Sequence, residues 1–114
     1  MLFYGTITEN GVCGRADAKL EWRFFMLYVG VDLGTSAVKL LLMDGEGKIR
    51  KIVSREYPIF FPNPGWSQQN PEDWFTQTME GMKELIADED KSEVAGISFG
   101  GQMHGLVILD KDDN

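Results

Sequence analysis

Two short stretches of this sequence carry side chains whose types and spacing suit chemistry. The first is Asp32-Leu33-Gly34-Thr35-Ser36, with Lys39 just beyond it. In a turn between two strands, Gly34 lets the backbone come close to a ligand. Thr35 and Ser36 add hydroxyl donors to those of the backbone, and the set suits a phosphate. Asp32 suits Mg²⁺ held through water, because that ion favours carboxylate oxygens and keeps part of its hydration shell. Lys39 adds a point charge. The second stretch is Gly100-Gly101-Gln102-Met103-His104-Gly105. His104 is the single histidine, and a neutral imidazole both donates to and accepts from a hydroxyl; Met103 offers an apolar surface to a carbon chain. Each stretch also has a plain structural account. Turn chemistry alone places Asp, Gly, Thr and Ser in hairpins, and a histidine in a glycine-rich turn is commonly a surface residue. The first stretch is neither a P-loop nor a dinucleotide fingerprint.

The elements around these stretches decide whether they can act. Leu27 to Val31 is apolar and rich in strand formers, and a second apolar run covers Val38 to Met43. The Asp32–Ser36 stretch is then the turn between two antiparallel strands. Asp44-Gly45-Glu46-Gly47 is a hairpin signal, since glycine supplies the positive φ of a tight reversal. Lys48 to Pro58 alternates loosely through Ile49, Ile52, Val53 and Tyr57 and predicts a third strand. A loop with Pro62, Pro64 and Gly65 leads to a helix start with Asn70 as N-cap, Pro71 at the first position, and Glu72 and Asp73 beside the positive dipole end. Phe75, Met79, Met82, Leu85 and Ile86 form one apolar stripe expected to face the core. Gly81 inside this helix costs about 1 kcal/mol relative to Ala. Asp88-Glu89-Asp90-Lys91 is expected as a solvated loop. Val94 to Phe99 predicts a strand after the helix, and a strand–helix–strand crossover favours parallel pairing. The second stretch therefore sits at the carboxyl end of a parallel strand, where ligands bind in open α/β sheets. Leu106 to Leu109 predicts one more strand, followed by the polar turn Asp110-Lys111-Asp112-Asp113-Asn114. The fold class is α/β: a three-stranded antiparallel meander, then a helix, then a parallel strand.

Composition sets outer bounds. The 114 residues leave room for one domain, and 43% hydrophobic with 25% charged residues is ordinary globular usage. Eleven basic against eighteen acidic residues give a net charge of −7. Such a surface repels nucleic acid and anionic membrane, so neither is an expected partner. No apolar run reaches the roughly 18 residues of a membrane-spanning helix, and the N-terminus lacks a secretory signal pattern. One cysteine, Cys13, forms no internal disulfide, which points to a reducing cytoplasm. Residues 1–25 are charge-balanced and lack a clear period, and are expected to be an extension ahead of a domain covering 26–114. An edge strand or contact arm using Trp22, Phe24 and Phe25 is the other reading of that segment.

Three segments carry a family resemblance. Val29 to Lys39 resembles the first phosphate motif of the actin-like ATPase superfamily, and most closely that of the FGGY carbohydrate kinases. Pro64-Gly65-Trp66-Ser67-Gln68-Gln69-Asn70-Pro71 resembles that family's Gly-Trp-Ser/Val-Glu-Gln/His-Asp-Pro segment. Gly101-Gln102-Met103-His104-Gly105 is similar to the xylulose kinase branch, whereas glycerol kinases carry Gln-Arg-Glu there. The resemblance covers the chain after Met26 and implies the start of an N-terminal ribonuclease-H-like domain. It implies transfer of a phosphoryl group from ATP, with Mg²⁺, to a ketopentose, D-xylulose first among them. By the same resemblance Asp32, Gly34, Thr35, Ser36 and Lys39 cradle phosphate and metal (Asp32 the metal), and Gln102, Met103 and His104 touch sugar. Gln68 departs from the family's Glu, and Asn70 from its Asp. The family's general base, second phosphate motif and adenosine pocket correspond to nothing in these 114 residues, so the chain alone is expected to be inactive. The sequence leaves room for a homodimer. A non-catalytic binding or assembly module derived from the same fold is the alternative.

Overall fold

The computed structural model describes residues 26–112, so the expectations for residues 1–25 and for Cys13 lie outside the described residues. Strand β1 (Leu27–Leu33) pairs antiparallel with β2 (Ala37–Asp44), which pairs antiparallel with β3 (Ile49–Glu56). Helix α1 (Pro71–Leu85) and a single 3₁₀ turn (Lys91–Glu93) lead to β4 (Val94–Gly101), which pairs parallel with β1. The sheet order is β3-β2-β1-β4. This is the expected meander, helix and parallel strand, with β1, β2 and β4 longer than their apolar runs and β3 shorter than the expected Lys48–Pro58 strand.

Local chemistry explains the boundaries. Asp44 Oδ1 accepts from the Glu46 and Lys48 amides at 3.1 and 3.0 Å, and Gly47 closes the turn at φ 83°. Only glycine takes that left-handed conformation without strain. Asn70 Oδ1 accepts from the Glu72 amide at 3.2 Å and Pro71 opens the helix, as its missing N–H permits.

Alternation along the strands puts Leu27, Val29, Val31, Val38, Leu40, Leu42 and Val53 on one sheet face, where they form the buried core with Tyr57 and Leu85. Helix α1 packs on that face over β2 and β3. Its rotation differs from the expected stripe. Leu85 is buried, and Trp74, Met82 and Ile86 pack against the core, but Phe75 is 65% exposed and Met79 43%. Gly81 is the reason. It is buried in the face centred on Trp74, Gly81 and Leu85, and a Cβ placed on it would meet Leu40 Cδ1 at 2.5 Å. The missing side chain lets the helix settle onto Leu40, and this face lies about 100° around the helix from Phe75.

Gly81→Ala is therefore expected to lower stability by up to about 2 kcal/mol, because overpacking at Leu40 outweighs the better helix propensity. Thermal melts check this: a gain in Tm would mean that the helix does not dock through Gly81.

The expected strand at Leu106–Leu109 is a second correction. Those residues form no strand among the described residues, and Leu106 and Ile108 are 83% and 76% exposed. Apolar, β-prone residues still need a neighbouring ladder to pair with, and here they leave the sheet after Gly101.

Candidate functional site

The turn that joins β1 to β2 is the centre of the site, and its geometry is set by hydrogen bonds to its carbonyl groups. The Leu33 carbonyl accepts from the Gln102 amide at 3.0 Å. The Gly34 carbonyl accepts from the Tyr57 hydroxyl. The Thr35 carbonyl accepts from Gln69 Nε2 at 2.8 Å. The Ser36 carbonyl accepts from the Tyr57 amide at 3.1 Å, and the Ala37 carbonyl from the Gly34 amide at 3.0 Å. Five consecutive carbonyls are thus held by donors from the protein. In a trans peptide the C=O and the following N–H point in opposite directions. Holding the Gly34 and Thr35 carbonyls inward therefore aims the Thr35 and Ser36 N–H groups outward. Both residues are exposed, and neither amide donates a hydrogen bond among the described residues. Two adjacent free amides with no carbonyl between them to repel an anion make a nest for negative oxygen.

Gly34 is needed here for space. Its φ is not left-handed, but a Cβ on it would lie 2.9 Å from the Ala37 carbonyl oxygen that closes the turn.

Charged groups flank the nest. Asp32 and Lys39 are direct cross-strand partners in the β1–β2 ladder, so both side chains stand on the sheet face opposite α1. Both are exposed, and they line a cavity of about 460 Å³ with Gly30, Ser98 and Gly100. Burial, and secondly the Asp32 carboxylate, raise the Tyr57 hydroxyl above its ordinary range, so it stays protonated and donating at neutral pH. No cluster of three metal-ligating side chains exists among the described residues. One exposed carboxylate beside an anion nest does fit Mg²⁺, which is commonly bound through one or two carboxylates, phosphate oxygens and its own waters.

The second stretch meets the first. Thr35 Oγ1 donates to Gln102 Oε1 at 2.5 Å, so the segment after β4 is fastened to the turn by side chain as well as backbone. A cavity of about 450 Å³ opens beside this contact, lined by Thr35, Gln69, Trp74, Gln102 and His104 among others. Asp32 lines one cavity, and Thr35, three residues on, lines the other. Of the residues expected to touch sugar, Gln102 and His104 reach this space. Met103 does not line it and is 84% exposed.

Tyr57 and Gln69 were legible in the sequence only as a strand position and a family-like loop residue. No spacing rule marks a tyrosine hydroxyl 23 residues from the carbonyl it holds.

A family model described as the FGGY family of carbohydrate kinases, N-terminal domain, matches residues 27–114. The chain belongs to the FGGY family of carbohydrate kinases. It is 49% identical over 86 residues to a xylulose kinase of Bacillus subtilis, covering 74% of this chain and 17% of that protein. A glycerol kinase of Xanthomonas campestris is 33% identical over 85 residues. Among solved structures, a xylulose kinase from Lactobacillus acidophilus with bound ligand superposes with a TM-score of 0.73 at 34% identity, over 78% of this chain and 18% of that one. A xylulose kinase from Brucella ovis gives 0.70 at 39%, over 77% and 19%. The FGGY chain described here thus spans less than a fifth of the length of these relatives. Among its described residues no helix is long and apolar enough to cross a membrane.

Proposed function

We propose that the intact protein transfers the γ-phosphoryl group of MgATP to a ketopentose, D-xylulose being the first choice. The observation that carries this reading is the β1–β2 turn, whose free Thr35 and Ser36 amides point away from five held carbonyls. A nest of that kind binds phosphate oxygens without a basic patch, which suits a chain of net charge −7. Asp32 would hold Mg²⁺ through water, and Lys39 would meet a phosphate as a point charge. When bound, the metal neutralises charge that develops on the transferring group. Gln102 and His104 would contact sugar hydroxyls in the adjoining cavity. The Gln102-Met103-His104 sequence and the names of the relatives favour xylulose over glycerol. Phosphoryl transfer is largely positioning and electrostatic stabilisation, and the fastening of the sugar segment to the phosphate turn through Thr35 supports both. The single cysteine favours a reducing, cytoplasmic setting.

The test is release of ADP from MgATP by the intact protein, with and without D-xylulose. Sugar-dependent release supports the reading; binding of xylulose without turnover would instead indicate a non-catalytic module. In an active protein, His104→Ala is expected to raise KM for xylulose about tenfold, since one hydrogen-bonding group to the sugar is lost. An unchanged KM would remove His104 from sugar recognition.

A further inference from the structure

The hydrogen bonds that aim the nest come from two side chains that carry no part of the motif. We infer that Tyr57 and Gln69 are positioning residues for phosphate binding: Tyr57 directs the Thr35 amide, and Gln69 directs the Ser36 amide. Tyr57 follows β3, and its ring is buried in the core while its hydroxyl reaches the turn. It holds the turn at two places, by hydroxyl to the Gly34 carbonyl and by amide to the Ser36 carbonyl. Gln69 lies just ahead of the Asn70 cap, so the capped start of α1 fixes where its amide can reach. Each donor holds a carbonyl whose peptide partner N–H is one of the two free amides. A peptide plane turns as a unit, so freeing the carbonyl frees the N–H to swing and lets carbonyl oxygen face an incoming anion. The two planes have separate donors on separate elements but share Thr35, so the two effects should couple.

This inference rests on the kinase reading, and the experiment separates the two. In the intact protein, KM for MgATP, KM for xylulose, kcat and Tm are measured for wild type, Tyr57→Phe and Gln69→Leu. Phe keeps the buried ring, and Leu at Gln69 fills a partly exposed site, so both variants are expected to fold. Each should raise KM for MgATP about fivefold, as loss of one net hydrogen bond would. KM for xylulose stays at the wild-type value in Tyr57→Phe, since Tyr57 lies outside the sugar cavity, whereas Gln69 lines that cavity and its variant is read on KM for MgATP and Tm. The double variant should raise KM for MgATP beyond either single variant. An unchanged KM for MgATP in both variants overturns the inference with the kinase reading intact. Equal rises in both KM values of Tyr57→Phe with a matching fall in Tm also overturn it, because the role would then be structural only. Absence of sugar-dependent ADP release in the wild type overturns the kinase reading and this inference with it.

Discussion

Asp32→Asn in the intact protein is expected to lower kcat by a factor on the order of 100 to 1000, as loss of a charge aimed at the reacting phosphate does in other active sites. Stability should stay within about 0.5 kcal/mol of wild type, the usual range for surface substitutions. The structure separates these effects. Asp32 is exposed and stands on the sheet face away from the core, and its carboxylate makes no hydrogen bond or ion pair among the described residues. Asn keeps its shape and removes only the charge. Without that charge the proposed Mg²⁺ site would lose its protein anion, and Lys39 loses the opposite charge across the ladder. Measuring kcat across a Mg²⁺ titration, with Tm alongside, checks this. Turnover near the wild-type rate would take Asp32 out of the mechanism, and a collapsed Tm would show that its role is structural.

Gly34→Ala is expected to reduce kcat/KM for MgATP on the order of 100-fold, since displacement of a positioning element by about 1 Å can cost that much. A Cβ at this position would press on the Ala37 carbonyl oxygen at 2.9 Å. That oxygen accepts the Gly34 amide at 3.0 Å and closes the turn. Relief of the contact must open the turn, and the Tyr57 and Gln69 bonds on either side cannot all survive the movement. Stability should fall by about 1–3 kcal/mol, the usual range for overpacking. The cause is crowding and not a forbidden torsion, because Gly34 is not left-handed. Gly47→Ala makes the useful comparison: it strains a positive φ in open space far from the nest, so it should cost stability while leaving kcat/KM for MgATP unchanged. Nucleotide binding at the wild-type level by Gly34→Ala would mean that the turn accepts a side chain and that its present geometry does not matter for phosphate.

Much of this molecule follows from local signals. Leu27–Val31 and Val38–Met43 have strand composition, Asp44–Gly47 has turn chemistry, and Asn70-Pro71 marks a helix start. Each is settled by interactions within a few residues, so the elements and the meander could be read before any tertiary contact was known. The Asp32–Ser36 turn was legible for the same reason, and its residue types carried the family. Leu106–Leu109 shows the limit of that reasoning: strand composition does not make a strand where no ladder is within reach. The helix shows another limit. Periodicity identified an apolar stripe through Phe75 and Met79, yet docking is decided by which row lets the backbones approach, and that row contains Gly81.

Strands β1 to β4, helix α1, the turn, the family and the residue types of the proposed phosphate site are legible along the chain, because propensity, capping and turn chemistry act over short distances. Where the turn's amides point is set by tertiary contacts. Their direction depends on donors 23 and 34 residues away, at Tyr57 and Gln69, and the turn is fastened as well to Gln102, whose Oε1 accepts from Thr35 across 67 residues. These residues reach the turn only after β3, α1 and β4 have packed around β1. Hydrogen bonds of that span leave no period in a sequence, since any polar side chain that the fold brings within about 3 Å can make them.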